Sequence, residues 1–201
     1  MSNSTVRFLF DYNSPYSYLA SLQVEEVCQR HGAKLHWVPF VLGGIFKEDN
    51  TTPAHMIDKR REYMLKDLET LAEMYGLPYQ ARSNFLFNPI LAMRTTLQVP
   101  QGEERARAVH GLYRGAFAED LDLGDPEVVT RFLNESGLDG PALVEGSQQQ
   151  WVKDELKKNT DDALAQGVFG APTFILSDGR MLWGHDRLKV LDYFLEKPKY
   201  G

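Results

Sequence analysis

The sequence predicts an α/β fold in which one small sheet, built from the two ends of the chain, is interrupted by a large helical insertion. Three observations predict it. Residues 6–40 read as strand, helix, strand; residues 51–167 read as successive helices; residues 172–195 read as two strands and a helix. A chain of 201 residues is long enough for a core of this kind with an inserted lobe.

Val6 to Phe10 is rich in β-favouring residues. Asn13-Ser14-Pro15 ends that strand, because Pro15 has no amide hydrogen and pushes Ser14 out of the α region. Helical spacing follows at Leu19, Ala20, Val24, Val27 and Cys28, and stops at Gly32, a natural C′ residue. Pro15 suits the first helical position. Ser14 is therefore expected at a helix N-terminus, at the C-terminal end of a buried strand. Ligands bind there in α/β folds, and backbone amides and the helix dipole favour an anion. Ser14 or Ser17 has an equally simple use as a plain helix cap.

Lys34 to Phe40 alternates and reads as a second strand, completing a right-handed βαβ unit. His36 belongs to its face. Gly43-Gly44 and Asp49-Asn50-Thr51-Thr52-Pro53 mark a loop. Met64, Leu65, Leu68, Leu71, Ala72 and Tyr75 then form a helical stripe, preceded by Lys59-Arg60-Arg61 and closed by Gly76 and Pro78. Asn88-Pro89 reads as an N-cap with proline at N1, and Asp125-Pro126 opens another helix in the same way. Between them Arg105 to Ala118 is helical, Asp139-Gly140-Pro141 turns the chain later, and a long helix runs from Gln149 to Gln166. These aromatic and methionine stripes read as core. Strands return at Pro172–Leu176 and Arg180–Gly184, joined by a Ser177-Asp178-Gly179 hairpin turn. His185-Asp186-Arg187 opens the last helix, where Asp186 can serve as a cap. Residues 1–50 and 168–201 thus form the α/β layer, and 51–167 the helical lobe.

The net charge of −6 argues against a broad nucleic-acid or anionic-membrane surface. No apolar run approaches 18 residues, so no transmembrane helix is expected. The N-terminus lacks the basic and apolar regions of a signal peptide, and cytoplasmic residence is the simplest expectation. A single cysteine, Cys28, excludes an internal disulfide and a cysteine metal cluster; no metal site is expected.

Gly170-Ala171-Pro172-Thr173, opening a strand in a β-α-β…β-β-α core, resembles the thioredoxin pattern, whose cis-proline faces the active-site turn. Thioredoxin and DsbA-type proteins carry C-x-x-C in that turn. Here it reads Ser14-Pro15-Tyr16-Ser17, so thiol–disulfide exchange by the protein's own cysteines is not available. The chain resembles the DsbA-like branch containing 2-hydroxychromene-2-carboxylate isomerase and kappa-class glutathione transferase. The resemblance rests on Phe10 to Leu19, on Gly167 to Phe174 and on Trp183 to Leu188, with weaker echoes at Tyr63 to Leu68 and Phe87-Asn88-Pro89.

The resemblance implies a thioredoxin-like, DsbA-like fold that binds glutathione. Ser14 would hydrogen-bond the sulfur, and Ala171, before a cis Pro172, would pair its backbone with the cysteinyl part. His185 and Asp186 would hold the γ-glutamyl end. The family usually has Asn or Ser where His185 stands, and Val or Leu where Ala171 stands. A substrate pocket is expected near Phe46, Lys47, Asn50 and Asn88. The implied reaction is glutathione-dependent cis–trans isomerisation of 2-hydroxychromene-2-carboxylate or a similar ring-opened aromatic acid, in aromatic hydrocarbon catabolism. The thiolate adds to the conjugated system, a former double bond rotates, and elimination returns glutathione. A kappa-like transferase, attacking other electrophiles with the same thiolate, is the alternative. A homodimer is expected, because related enzymes are often dimers.

The energetics are sufficient. Lowering a thiol pKa from about 8.5 by about two units takes roughly 2.7 kcal/mol. A hydroxyl bond to a charged acceptor supplies roughly 1.5–3 kcal/mol, and a helix N-terminus up to about 2 kcal/mol. Two readings of other kinds compete. A serine hydrolase would need a base, yet Ser14 lacks a G-x-S-x-G elbow, and His31, His36, His55, His110 and His185 offer no triad order. A noncatalytic thioredoxin-like binding module would show no glutathione-dependent turnover.

Overall fold

The computed structural model describes residues 4–48, 50, 52–81 and 87–197. Residues 1–3 and 198–201 of the expected α/β layer, and Asp49 and Thr51 of the expected loop, lie outside these. Among the described residues the sheet has four strands in the order β2-β1-β3-β4. Strand β1 (Thr5–Phe10) runs parallel to β2 (Lys34–Pro39), and helix α1 (Pro15–Arg30) makes the crossover. Strand β3 (Thr173–Leu176) is antiparallel to β1, and β4 (Met181–Trp183) is antiparallel to β3.

Register follows from side chains that must stack. Phe8 pairs with Trp37 on one side and Phe174 on the other, with ring centroids 5.3 Å away in both cases. Cross-strand aromatic pairs of this kind fix a strand's face, because a one-residue slip would turn every ring outward. Val6, Phe8 and Phe10 face the larger core with α1, while Leu9 faces a second cluster with Val38, Phe40, Ile45, Ala163 and Ile175. The central strand is therefore covered on both faces, which explains its nearly continuous apolar run.

Among the described residues, six further helices follow α2 (Leu42–Glu48) between β2 and β3. They are α3 (Asp58–Tyr75), α4 (Ile90–Gln98), α5 (Glu103–Phe117), α6 (Pro126–Glu135), α7 (Gly140–Gly146) and α8 (Gln150–Ala165). The last is α9 (Leu188–Glu196). Tyr113 and Phe117 of α5 pack on Tyr12 and Tyr18, which ties the helices to the first βα unit.

Four details correct the sequence reading. Gly43-Gly44 lies inside α2, not in a loop. Asp139 accepts from the Ala142 amide and starts α7 where a turn alone was expected. Helix α4 begins at Ile90 with Pro89 at the cap position, one residue later than expected, and Asn88 Oδ1 accepts the Ile90 amide at 3.1 Å. Residues 185–187 form a separate 3₁₀ turn before α9, and no side chain caps it, so the capping use of Asp186 is not realised.

Candidate active site

Strand β1 ends at Phe10 and the chain turns through Asp11 to Ser14 before entering α1. Ser14 is extended (φ −91°, ψ 106°), as the residue before proline should be, and it is the N-cap of α1. Its Oγ accepts the Ser17 amide at 3.1 Å and donates to the Ala171 carbonyl at 3.1 Å. The plain cap and the contact across the fold thus coexist in one hydroxyl, which is 5% exposed.

The Ala171–Pro172 peptide is cis. Thr173 then pairs with Trp183 across β3 and β4, and the Gly184 amide donates to the Pro172 carbonyl at 3.0 Å. That bond brings the 185–187 turn beside the proline. Gly170 is required there, since a Cβ would overlap the Trp183 indole. The His185 ring stacks on Tyr16 at 4.9 Å with an interplanar angle of 13°. Burial pushes the imidazole pKa down, against the opposing pull of Asp186 and Asp67. Asp186 is exposed and lies 3.5 Å from Arg187. Ser14, Ala171, Pro172 and the His185-Asp186 turn therefore converge on one end of the sheet.

The residues expected to line a substrate pocket are less closely grouped. Phe46 is half-buried on α2, and Lys47 is exposed in its last turn. Asn50 is exposed with φ 49°, a left-handed conformation that asparagine tolerates. Asn88 is exposed on another segment, with its side chain turned back to the Ile90 amide. Two attachments join these segments to the Ser14 turn. Asp11 Oδ2 accepts the first amide of α2, Leu42 N, at 2.8 Å. The Asn13 side chain donates to the Phe87 carbonyl at 3.0 Å and accepts from the Phe87 amide at 3.3 Å.

Asp11, Asn13, Tyr16 and Asp67 are members of the site that the sequence reading did not assign. Tyr16 donates to Asp67 of α3 at 2.8 Å, so the turn, α3 and the His185 ring form one stack. Asp11 carried a signal: a carboxylate directly after Phe8-Leu9-Phe10 requires buried partners. Cys28 is buried within α1, and burial raises its thiol pKa to about 12, as expected of a structural cysteine.

The DSBA-like thioredoxin domain model matches residues 5–196. The chain belongs to that family. DSBA-like relatives of curated sequence include the 2-hydroxychromene-2-carboxylate isomerase of Sphingobium xenophagum, 27% identical over 198 residues that cover 95% of this chain and 97% of the relative. Glutathione S-transferase kappa 1 of Rattus norvegicus is also 27% identical, over 212 residues covering 98% and 92% of the two chains. The DSBA-like fold is seen again in a solved structure of a 2-hydroxychromene-2-carboxylate isomerase. It matches with a TM-score of 0.85 at 24% identity, over 96% of this chain and 95% of that one. No helix among the described residues is long and apolar enough to cross a membrane.

Proposed function

We propose that the protein is a glutathione-dependent cis–trans isomerase acting on 2-hydroxychromene-2-carboxylate or a similar ring-opened aromatic acid. The observation that carries the proposal is Ser14: a hydroxyl at the N-terminus of a 16-residue helix, against the cis-proline segment, where a disulfide enzyme would hold its first cysteine.

The residues present fit glutathione. Once the Ser14 hydroxyl turns its single proton from Ala171 to a sulfur, the Ala171 carbonyl is free to accept from a peptide amide. The leading amides of the 185–187 turn have no partner within it and suit a carboxylate, while exposed Asp186 suits an ammonium group. At α1, Pro15 has no amide hydrogen and the Ser17 amide points at Ser14 Oγ, which leaves the Tyr16 amide and the Ser14 hydroxyl for a thiolate. Bound glutathione supplies the nucleophilic thiolate that adds reversibly to the conjugated acid and permits rotation about a former double bond. Ser14 favours the ionised sulfur by donating to it. Lys47 on α2 and the Asn88 amide are the groups of this chain that would hold the substrate carboxylate and the developing enolate.

A second reading is favoured by the kappa-class relative, which matches as well as the isomerase does. In a transferase the same Ser14 site would yield a glutathione conjugate. Incubation with glutathione and 2-hydroxychromene-2-carboxylate, followed by chromatography, separates the two. Isomerised acid with glutathione recovered supports the isomerase; stable conjugate with a general electrophile and no isomerisation supports the transferase. A homodimer belongs to the same proposal and is tested by light scattering.

A further inference from the structure

Asp11 is 2% exposed and forms no ion pair among the described residues. Its two carboxylate oxygens serve different elements. Oδ1 accepts the Asn13 amide at 2.8 Å, inside the turn that ends at Ser14, and Oδ2 accepts the Leu42 amide at 2.8 Å, at the start of α2. The Asp11 carbonyl takes two further bonds, from the Ser14 amide at 2.9 Å and from the Tyr113 hydroxyl of α5 at 3.1 Å. The carboxylate thus joins the turn to α2, and the carbonyl ties the same turn to α5.

Helix α2 needs that support. It has seven residues and two consecutive glycines near its start, each costing about 1 kcal/mol relative to alanine in a helix interior. The Val41 amide just before it is tied to Thr160 of α8 at 3.0 Å. Lys47 lies five residues beyond Leu42, about 7.5 Å along the axis. A rotation of α2 about its first turn therefore moves Phe46 and Lys47 relative to Ser14.

We propose that Asp11 is a positioning residue: its carboxylate bridges the Asn13 and Leu42 amides and so sets where α2 presents Phe46 and Lys47 to a substrate held at Ser14. The inference rests on the isomerase reading for the identity of that substrate, and on geometry alone for the coupling of α2 to the turn.

The coupling carries a pH signature. Burial raises the Asp11 carboxyl pKa to about 6, against the pull of the two amides. The titratable group facing it from α5 is Tyr113, whose own pKa is raised by burial, by Tyr12 and by Asp11 itself. Tyr12 lies beside it in the turn, α2 faces it with backbone and carries its cation, Lys47, at the far end, and α8 contributes the uncharged Thr160. Protonation turns one carboxylate oxygen into a hydroxyl, a weaker acceptor, so one of the two bridges weakens as pH falls through about 6.

Carboxyl-carbon NMR of the ligand-free protein is the first measurement. Asp11 should titrate near 6, and the Asn13 and Leu42 amide resonances should follow the same midpoint. The second measurement compares Asp11→Asn and Leu42→Pro. With Leu42→Ala as the control for the packing that the Leu42 side chain loses against the smaller core, Leu42→Pro removes the donor at a helix position where proline is tolerated, so it tests the bridge even if Asp11→Asn fails to fold. Both variants should lower kcat/KM for 2-hydroxychromene-2-carboxylate by about tenfold, the scale of one lost hydrogen bond to a charged group, with glutathione affinity changed less than about threefold. Leu42→Pro should also raise the Asp11 midpoint, because one stabilising donor is gone. The inference is overturned if the Leu42 amide ignores the Asp11 midpoint, if turnover is unchanged in both variants, or if glutathione affinity falls in step with turnover. A wild-type protein without glutathione-dependent turnover overturns the isomerase reading instead, and the amide titration still decides the coupling of α2.

Discussion

Replacing Ser14 by alanine tests the thiolate reading most directly, and the structure sets the size of the effect. The hydroxyl has one proton, and in the absence of ligand that proton goes to the Ala171 carbonyl at 3.1 Å. Donating to a thiolate means giving up that bond. A hydrogen bond to a charged partner contributes roughly 1.5–3 kcal/mol and a neutral one about 1 kcal/mol, so the net preference for thiolate is roughly 0.5–2 kcal/mol. At 1.36 kcal/mol per unit, Ser14→Ala should raise the bound thiol pKa by roughly 0.4 to 1.5 units. The contribution of the α1 terminus stays, so glutathione still binds, and turnover lost near neutrality returns at alkaline pH. The same substitution removes the α1 cap, at about 1 kcal/mol of stability, and a denaturant midpoint must confirm that the variant is folded at the assay temperature. The assay is ultraviolet thiolate absorbance of the glutathione complex against pH, with turnover of 2-hydroxychromene-2-carboxylate in parallel. An unmoved thiol pKa refutes the donor role. Turnover abolished at every pH, with a covalent adduct on the wild-type serine, would make Ser14 a nucleophile.

Other outcomes follow from the same geometry. Asp186→Ala should weaken glutathione binding by only about 1.5- to 5-fold in calorimetric titration, because an exposed ion pair contributes roughly 0.2–1 kcal/mol; unchanged affinity would remove Asp186 from the site. Tyr16→Phe keeps the stack on His185 but loses the bond to Asp67, and should cost about 1 kcal/mol in denaturant midpoint, while an unchanged midpoint would mean that α3 is held by other contacts. For Asp11 the folded pKa lies above the unfolded one, so the folded state holds the proton more tightly and its contribution to stability is full below about 4 and lost as pH rises through about 6. That loss amounts to about 3 kcal/mol, and the difference in denaturant stability between wild type and Asp11→Asn should slope across this window; parallel curves would contradict a buried carboxyl whose desolvation the two amide bonds only partly offset.

What could be read from the sequence is what local chemistry decides. Pro15 forces Ser14 into an extended conformation and Ser14 then caps α1; Asp125 caps α6 ahead of Pro126 in the same way. The strands were readable because alternation and β-branched or aromatic residues mark them, and the cis proline because a known family pattern surrounds it. Two features that the sequence hid have partners far along the chain. Gly43-Gly44 reads as a loop on any propensity scale, yet it lies in a helix whose leading amide, Leu42 N, is taken by Asp11, 31 residues before Leu42. Asn13 reads as a turn residue, and its amide is in fact clasped to Phe87, 74 residues away. His185 illustrates a third case. The resemblance implies that this position holds the γ-glutamyl end of glutathione, whereas its ring is stacked on Tyr16. The hidden features share a consequence. Asp11 and Asn13 each fasten a separate segment to the four residues from Asp11 to Ser14, so the geometry of that turn depends on long-range bonds. A carboxylate buried there at a cost in stability is then best understood by what it holds in place.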